Sequence, residues 1–180
     1  DFEFRVSHRD ILGGLLESLE SDVETAEAIR AVDKKEKIDA EAYYELLVEA
    51  GLTRSEAESF DSVLGTDDLD DLVAFAGTDR VESAVENLRA VLGAAESFGA
   101  REHCRISLET ARGLDYYTGV VFECFDTAGE ISRSVFGGGR YDDLIEGYGG
   151  EPTPAVGVGI GHETLSLLCQ RAGVWPEDAA

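Results

Sequence analysis

Phe2, Phe4 and Val6 alternate with Glu3 and Arg5, the period-two pattern of a strand with one buried face. The period then changes. Ile11, Leu12, Leu15, Leu16 and Leu19 recur at helical spacing, which predicts an amphipathic helix from His8 to Leu19 with Ser7 as its N-cap. From 21 to 99 the pattern stays helical, in short segments with their own start signals. Asp39 precedes a helix that runs to Ala50 and stops at Gly51, Thr53 opens the next, and Thr78, followed by Asp79 and Glu82, opens a longer one to Ser97. After Gly99 alternation returns, with Cys104, Ile106 and Leu108 set against Arg105, Ser107 and Glu109. Val120–Phe125 predicts a further strand and Ile131–Phe136 its hairpin partner across a glycine turn. Pro154–Ile160 predicts a last strand, which runs into a helix from His162 to Gln170.

Strand and helix at the front, a wholly helical middle and strands behind it define an α+β chain: an antiparallel sheet flanked by helices and interrupted by a helical insertion. The expected division is core at 1–20, insertion at 21–99 and core again at 100–180. The chain has no Met and opens directly on a strand, so a piece of a longer protein is expected.

Charge changes this picture in one respect. The chain carries 38 Asp and Glu against 15 Lys and Arg, a formal net charge of -23, while 43% of it is hydrophobic. It therefore has the apolar content for a core and an intensely acidic surface. Two readings compete: a functional face for cations or basic partners, and adaptation to a salty cytoplasm, where screening makes carboxylate crowding cheap. The acids are spread along the whole chain, which favours solvent adaptation. DDLDD at 67–71 lacks the ligand spacing, central Gly and terminal Glu of an EF-hand and is expected to be a solvated helix start. Cys104, Cys124 and Cys169 are too few and too scattered for a disulfide framework and are expected as reduced thiols. His8, His103 and His162 show no metal-ligand spacing. No apolar run approaches membrane-spanning length, so a cytoplasmic protein without membrane contact is expected.

Three segments could carry chemistry. RGLDYYTGVVFE at 112–123 crowds an Arg, an Asp, two Tyr and a Thr into a glycine-bounded turn between strands. That composition suits either a binding site or a polar sheet edge with an Arg112–Asp115 pair. Arginine offers a rigid fork for carboxylate or phosphate, and tyrosine an apolar wall with a hydroxyl. GGGRYDDL at 137–144 lets backbone approach a ligand closely but is no P-loop, lacking Gly-Lys-Ser/Thr at the required spacing. GVGIG at 157–161 fails the dinucleotide spacing at its third glycine; it is better suited to open a strand surface to a flat ring.

RGLDYYTGVVFE, then GGGRYDDL, then PAVGVGIG before a helix, in this order, resemble the signature segments of histidyl-tRNA synthetases. FRVSHRDILGGLLESL resembles the segment preceding that family's helical insertion, so the likeness spans nearly the whole chain. The resemblance implies a class II synthetase fold and a reaction that joins histidine to ATP as histidyl-adenylate, then transfers histidine to tRNA(His). It implies Arg112 as the catalytic arginine, binding the histidine carboxylate and stabilising the transition state. It implies Tyr116, Tyr117 and Tyr141 as the histidine pocket, and Gly157, Gly159 and Gly161 as the floor of the ATP site, with Mg2+ expected alongside ATP and no protein ligand assigned to it. A homodimer is implied for the full-length enzyme.

Two departures matter. Where the family's third motif ends Gly-x-Glu-Arg, the chain has Gly161, His162, Glu163 and Thr164, without the arginine that grips ATP. The first two class II motifs are absent, so residues 1–180 alone are expected to be inactive. The missing arginine leans toward a rival, the synthetase-like regulatory subunit of ATP phosphoribosyltransferase; the intact Arg112 leans more strongly toward the synthetase. Lys34, Lys35 and Lys37 form the one basic cluster, in the insertion, and stand either as a tRNA contact or as a solvated charge run.

Overall fold

A computed structural model describes residues 1–110, 116–128, 131 and 133–175, apart from the side chain of residue 36. Among them, five strands form one mixed sheet: β1 (Phe2–His8), β2 (Cys104–Ile106), β3 (Val120–Asp126), β4 (Phe136–Tyr141) and β5 (Ala155–Ile160), in the order β2-β1-β3-β4-β5. β1 and β3 pair antiparallel from Phe2↔Asp126 to His8↔Val120, and β4 and β5 continue antiparallel beyond them. β2 pairs parallel to β1 at the sheet's edge, with Phe4 opposite Cys104 and Val6 opposite Ile106, so the antiparallel-rich sheet expected from the sequence carries one parallel pair. The helices between these strands form the crossover that a parallel pair requires.

Those helices are α1 (Arg9–Glu17), α2 (Thr25–Lys34), α3 (Ala40–Glu49), α4 (Arg54–Leu64), α5 (Leu69–Ala76) and α6 (Asp79–Ser97), with a 3-10 turn at Lys35–Lys37 after α2. Their starts follow local chemistry. The Asp39 carboxylate accepts from Ala42 N at 3.0 Å, and Thr53 and Glu56 make a reciprocal capping box at α4. Thr78 caps α6, Asp68 caps α5, and Gly51 turns the chain after α3 at φ +109°.

Ser7, expected as the first N-cap, instead extends β1 opposite Val121; pairing with β3 carries the strand on to His8. His8 then caps α1, its Nδ1 accepting from Asp10 N at 3.1 Å. Burial holds its pKa below the ordinary histidine value. An Nδ1 that accepts from Asp10 N carries no proton, so the cap uses the neutral ring.

One apolar cluster joins Val6, α1, α2 to α6 and Leu108, with Ile11, Leu12, Tyr43, Leu47, Phe60 and Leu72 essentially without solvent contact. The core therefore runs across residue 20, and α1 packs on α6, α2 and α5. Phe4, Phe122 and Phe136 stack edge-on along the sheet face toward this core, with centroids 5.7–6.4 Å apart. The opposite face, carrying Val121, Glu123, Gly137, Gly139, Gly157 and Gly159 by the period of two, is left for a site.

The hairpin expected at Ile131–Phe136 lies further on. β4 is the FGGGRY run itself, paired on both sides, rather than a loop of glycines. α7 (Leu144–Gly147) follows it, and α8 (His162–Arg171) follows β5. Arg171 clamps α8 to the end of β3 through both oxygens of Asp126, with Nη2–Oδ1 at 2.7 Å; this carboxylate's side chain is only 1% exposed. Arg171 holds the Asp126 carboxyl down at about 2.

A tyrosine-lined cavity over glycine strands

β3, β4 and β5 bring two cross-strand rows onto the open face of the sheet: Val121–Gly139–Gly157 and Glu123–Gly137–Gly159. Four of these six positions carry no side chain, so the strand surface forms a floor on which rings can lie. The fit is tight. A Cβ on Gly139 would stand 2.8 Å from Tyr117 Cδ1, and one on Gly157 would stand 2.8 Å from the Tyr141 hydroxyl. Glycine here is a condition of the tyrosine positions.

Tyr116, Tyr117 and Tyr141 meet over that floor. Their centroids are 4.8 Å apart for 116–117, 5.6 Å for 116–141 and 6.3 Å for 117–141, the second pair edge-to-face. The turn that carries the first two is tied down from three sides. Thr118 N donates to Arg140 O at 3.0 Å, Asp142 N donates to Thr118 Oγ1 at 3.0 Å, and Arg9 N donates to Gly119 O at 3.1 Å. Burial, then the neighbouring Tyr116, pushes the Tyr117 phenol up to about 12, so it remains a hydrogen-bond donor at neutral pH.

These residues line a cavity of about 650 Å³ with Glu123, Ser134, Thr110, Leu144, Gly157 and Gly159. The Glu123 carboxylate, 9% exposed as a residue, accepts from Ser134 Oγ at 2.9 Å through Oε1. The rim is completed from the helical insertion by Asp33 at the end of α2 and by Lys37 in the turn after it. The chamber thus combines aromatic walls, a buried acceptor and a flat backbone surface. That is a fit for a planar ring with polar edges, and its volume exceeds that of a single amino acid side chain.

Of the residues singled out in the sequence, Tyr116, Tyr117, Tyr141, Gly157 and Gly159 come together in this cavity. Gly161 lies just beyond its lining, as the N-cap of α8. Arg112, with Asp115, lies outside the described residues. Thr164, at the position of the missing arginine, turns back on the chain: its Oγ1 donates to Gly161 O at 2.9 Å and is not among the cavity atoms. Ser134, Thr110 and Asp33 have no mark in the sequence, and Lys37 stands there only in the basic cluster, as a tRNA contact or a solvated charge run. Glu123 carried a signal, an acid in the middle of the apolar strand VVFECF. Among the described residues, no group of three or more His, Cys, Asp or Glu side chains is placed to hold a metal.

In the basic cluster Lys34 and Lys37 are exposed, and Lys35 and Lys37 are already engaged by acids. Lys35 is held between Asp61 and Glu109, and Lys37 donates to Asp33 O at 3.0 Å and Oδ2 at 3.2 Å.

A family model described as histidyl-tRNA synthetase matches residues 1–165, nearly the whole chain. The chain belongs to the histidyl-tRNA synthetase family. Within that family it is 79% identical over 178 residues to a histidine–tRNA ligase of Natronomonas pharaonis and 66% identical to one of Halobacterium salinarum. Each alignment covers 99% of this chain and 41% of the relative, so the chain spans about two fifths of the length of these curated synthetases, which come from halophilic archaea. The fold matches a crystal structure of histidyl-tRNA synthetase from Nostoc sp. with TM-score 0.85 and 28% identity, over 98% of this chain and 43% of that one. A Bacillus halodurans protein described as ATP phosphoribosyltransferase regulatory subunit/histidyl-tRNA synthetase shares the fold at TM-score 0.74, with 23% identity. That likeness is one of fold, and it gives the regulatory alternative no advantage over the synthetase.

Proposed function

We propose that this chain is the histidine-recognising part of the catalytic domain of a full-length cytoplasmic histidyl-tRNA synthetase, a homodimer that activates histidine with ATP and passes it to tRNA(His). The observation that supports this best is the cavity itself, in which Tyr116, Tyr117 and Tyr141 converge over the glycine floor in a member of this family. The tyrosines would enclose the substrate imidazole, whose faces suit aromatic walls and whose N–H groups suit hydroxyl and carboxylate partners. Glu123, acceptor-only when ionised, would take an N–H or ammonium group of histidine.

The floor at Gly157 and Gly159, with Gly161 beyond, would admit the nucleotide at the open end of β5. Arg112 would hold the histidine carboxylate against the α-phosphate and stabilise the charge that builds as carboxylate oxygen attacks and pyrophosphate leaves. With Thr164 turned onto Gly161 O, the ATP grip expected at that position must come from another side chain. Mg2+ is expected to accompany ATP, with no ligand set assigned among the described residues.

Histidine-dependent exchange of pyrophosphate into ATP by the full-length protein tests the reading. Arg112→Ala should cut that exchange by at least about a hundredfold, the scale of losing one transition-state donor. Residues 1–180 alone should show none. Undiminished exchange in the Arg112→Ala enzyme would remove the catalytic assignment.

A further inference from the structure

Lys35 belongs to the helical insertion, yet its partners lie on both sides of the insertion's boundary with the cavity. Its Nζ stands 2.7 Å from Asp61 Oδ1 on α4 and 2.6 Å from Glu109 Oε1, in the turn after β2 and 74 residues away in sequence. The ammonium also lies 5.6 Å from the centroid of the buried Tyr43 ring, while Tyr44 OH donates to Asp61 Oδ2 at 3.0 Å. All three charged side chains are about three-quarters shielded from solvent. Burial by itself would lower the lysine pKa; the pull of Asp61 and Glu109 outweighs it and holds the group charged.

The neighbours of this triad in sequence are cavity residues. Asp33 and Lys37, two positions to either side of Lys35, form the rim that the insertion contributes. Thr110, next to Glu109, also lines the cavity, and its turn is fixed to β1 through Ser107 N donating to Val6 O at 3.0 Å. One ammonium therefore joins two walls of the cavity that the chain supplies from distant segments.

We infer that Lys35 is a positioning residue for histidine binding: it pins the turn of the insertion carrying Asp33 and Lys37 to the post-β2 turn carrying Glu109 and Thr110, so that the insertion holds the cavity in its binding-competent shape. The physical reason is the two acids. Without the ammonium, Asp61 and Glu109 face each other in a partly desolvated space, and their repulsion drives the two walls apart. A cavity that is assembled only part of the time binds its ligand more weakly by that fraction, whereas the bound complex reacts as before. The defect belongs in KM and not in kcat.

This inference rests on the synthetase reading, and the experiment separates the two. In the full-length protein, histidine-dependent pyrophosphate exchange is followed for wild type, Lys35→Met, Lys35→Arg and Glu109→Gln. Lys35→Met should raise KM for histidine about tenfold with kcat within about twofold of wild type, the pattern of a reduced competent population. Lys35→Arg, which keeps the charge, should recover most of that loss. Glu109→Gln, which keeps the Lys35–Asp61 pair and guards against misfolding of the Met variant, should raise KM about threefold. Combining Lys35→Met with Glu109→Gln, which removes the facing charges, should lie closer to wild type than Lys35→Met alone. An unchanged histidine KM in Lys35→Met, or a loss confined to kcat, overturns the positioning role and leaves the synthetase reading intact. Absence of exchange in wild type overturns both.

Discussion

Two alanine substitutions in one pair of strands, Gly159 on the floor and Gly138 on the opposite face of the sheet, test why β4 and β5 carry glycine, because the chemical change is the same and only the surroundings differ. A Cβ on Gly138 would stand 2.1 Å from Gly157 O and 3.0 Å from Val158 Cα, both backbone atoms of the neighbouring strand. A Cβ on Gly159 meets only Gly137 O, at 4.0 Å. Neither glycine has a positive φ, so alanine restricts the unfolded chain in both cases and gains about 0.4–1 kcal/mol. At Gly159 that gain stands almost alone. At Gly138 it is opposed by overpacking of about 1–3 kcal/mol, toward the upper end because the backbone of a paired strand cannot rotate away.

Gly138→Ala should therefore be destabilised by about 1–2 kcal/mol and Gly159→Ala stabilised by about 0.5 kcal/mol. At about 2–4 °C per kcal/mol for a domain of this size, the two melting temperatures should differ by about 3–10 °C. Calorimetry of the full-length protein measures this, with urea midpoints as a second readout where heating is irreversible. A Gly138→Ala protein that melts together with Gly159→Ala, or above wild type, would refute the account of why β4 is built from glycine.

Two further outcomes concern charge. Glu56, hydrogen-bonded by Ser21 and Thr53, and Asp126, paired with Arg171, are both held at about 2, below their ordinary values of 4.5 and 3.8. Depressed carboxylates contribute stability above their unfolded pKa that is lost as pH falls toward the folded one. The stability gap between wild type and Asp126→Asn should accordingly narrow between about pH 4 and pH 2, and urea midpoints giving the same gap at both ends would contradict the Arg171 clamp. With a net charge of -23, the urea midpoint of the wild-type protein should rise between 0.1 and 2 M KCl, since screening contracts from about 10 Å to under about 3 Å; a falling midpoint would mean that ion pairs outweigh repulsion.

The sequence announces those elements whose cause is local. Asp39, Thr53 and Thr78 start helices because a side-chain oxygen satisfies an N–H two or three residues on, which needs nothing from the rest of the fold. Ser7 had the same chemistry and lost, because the sheet extends β1 through His8↔Val120 and passes the cap to His8. β4 was hidden for a different reason: three glycines in a row carry no alternation, so the period that marks a strand is missing just where the floor requires bare backbone. The parallel partnership of β1 and β2 is decided by where α6 returns the chain, which no local period encodes.

The same division applies to the cavity. Tyr116, Tyr117, Tyr141, Gly157 and Gly159 lie in segments whose order resembles a family, and they converge. Asp33, Lys37 and the Lys35–Glu109 contact bridge segments more than 70 residues apart; in the sequence they look like any solvated charge run.

Several of the scarce bases in this acidic chain are placed where two elements meet. Arg80 on α6 reaches Asp10, with Nη2–Oδ1 at 2.6 Å, and Glu17, both in α1. Arg54 joins α4 to Glu41 of α3 with two bonds of 2.8 and 3.1 Å, while its guanidinium lies 4.3 Å from the Tyr44 ring centroid. Arg171 joins α8 to β3, and Lys35 joins the insertion to the post-β2 turn. Such pairs offset acid repulsion at the seams between elements, where it would otherwise oppose packing, and leave the surplus carboxylates to solvent. The arrangement also constrains how the insertion could meet RNA. Phosphate would have to draw Lys35 from Asp61 and Glu109, and Lys37 from Asp33, before either could contribute. If Lys35 holds the cavity walls as inferred, drawing it away would loosen the histidine site, and RNA contact through that lysine would oppose amino acid binding instead of assisting it.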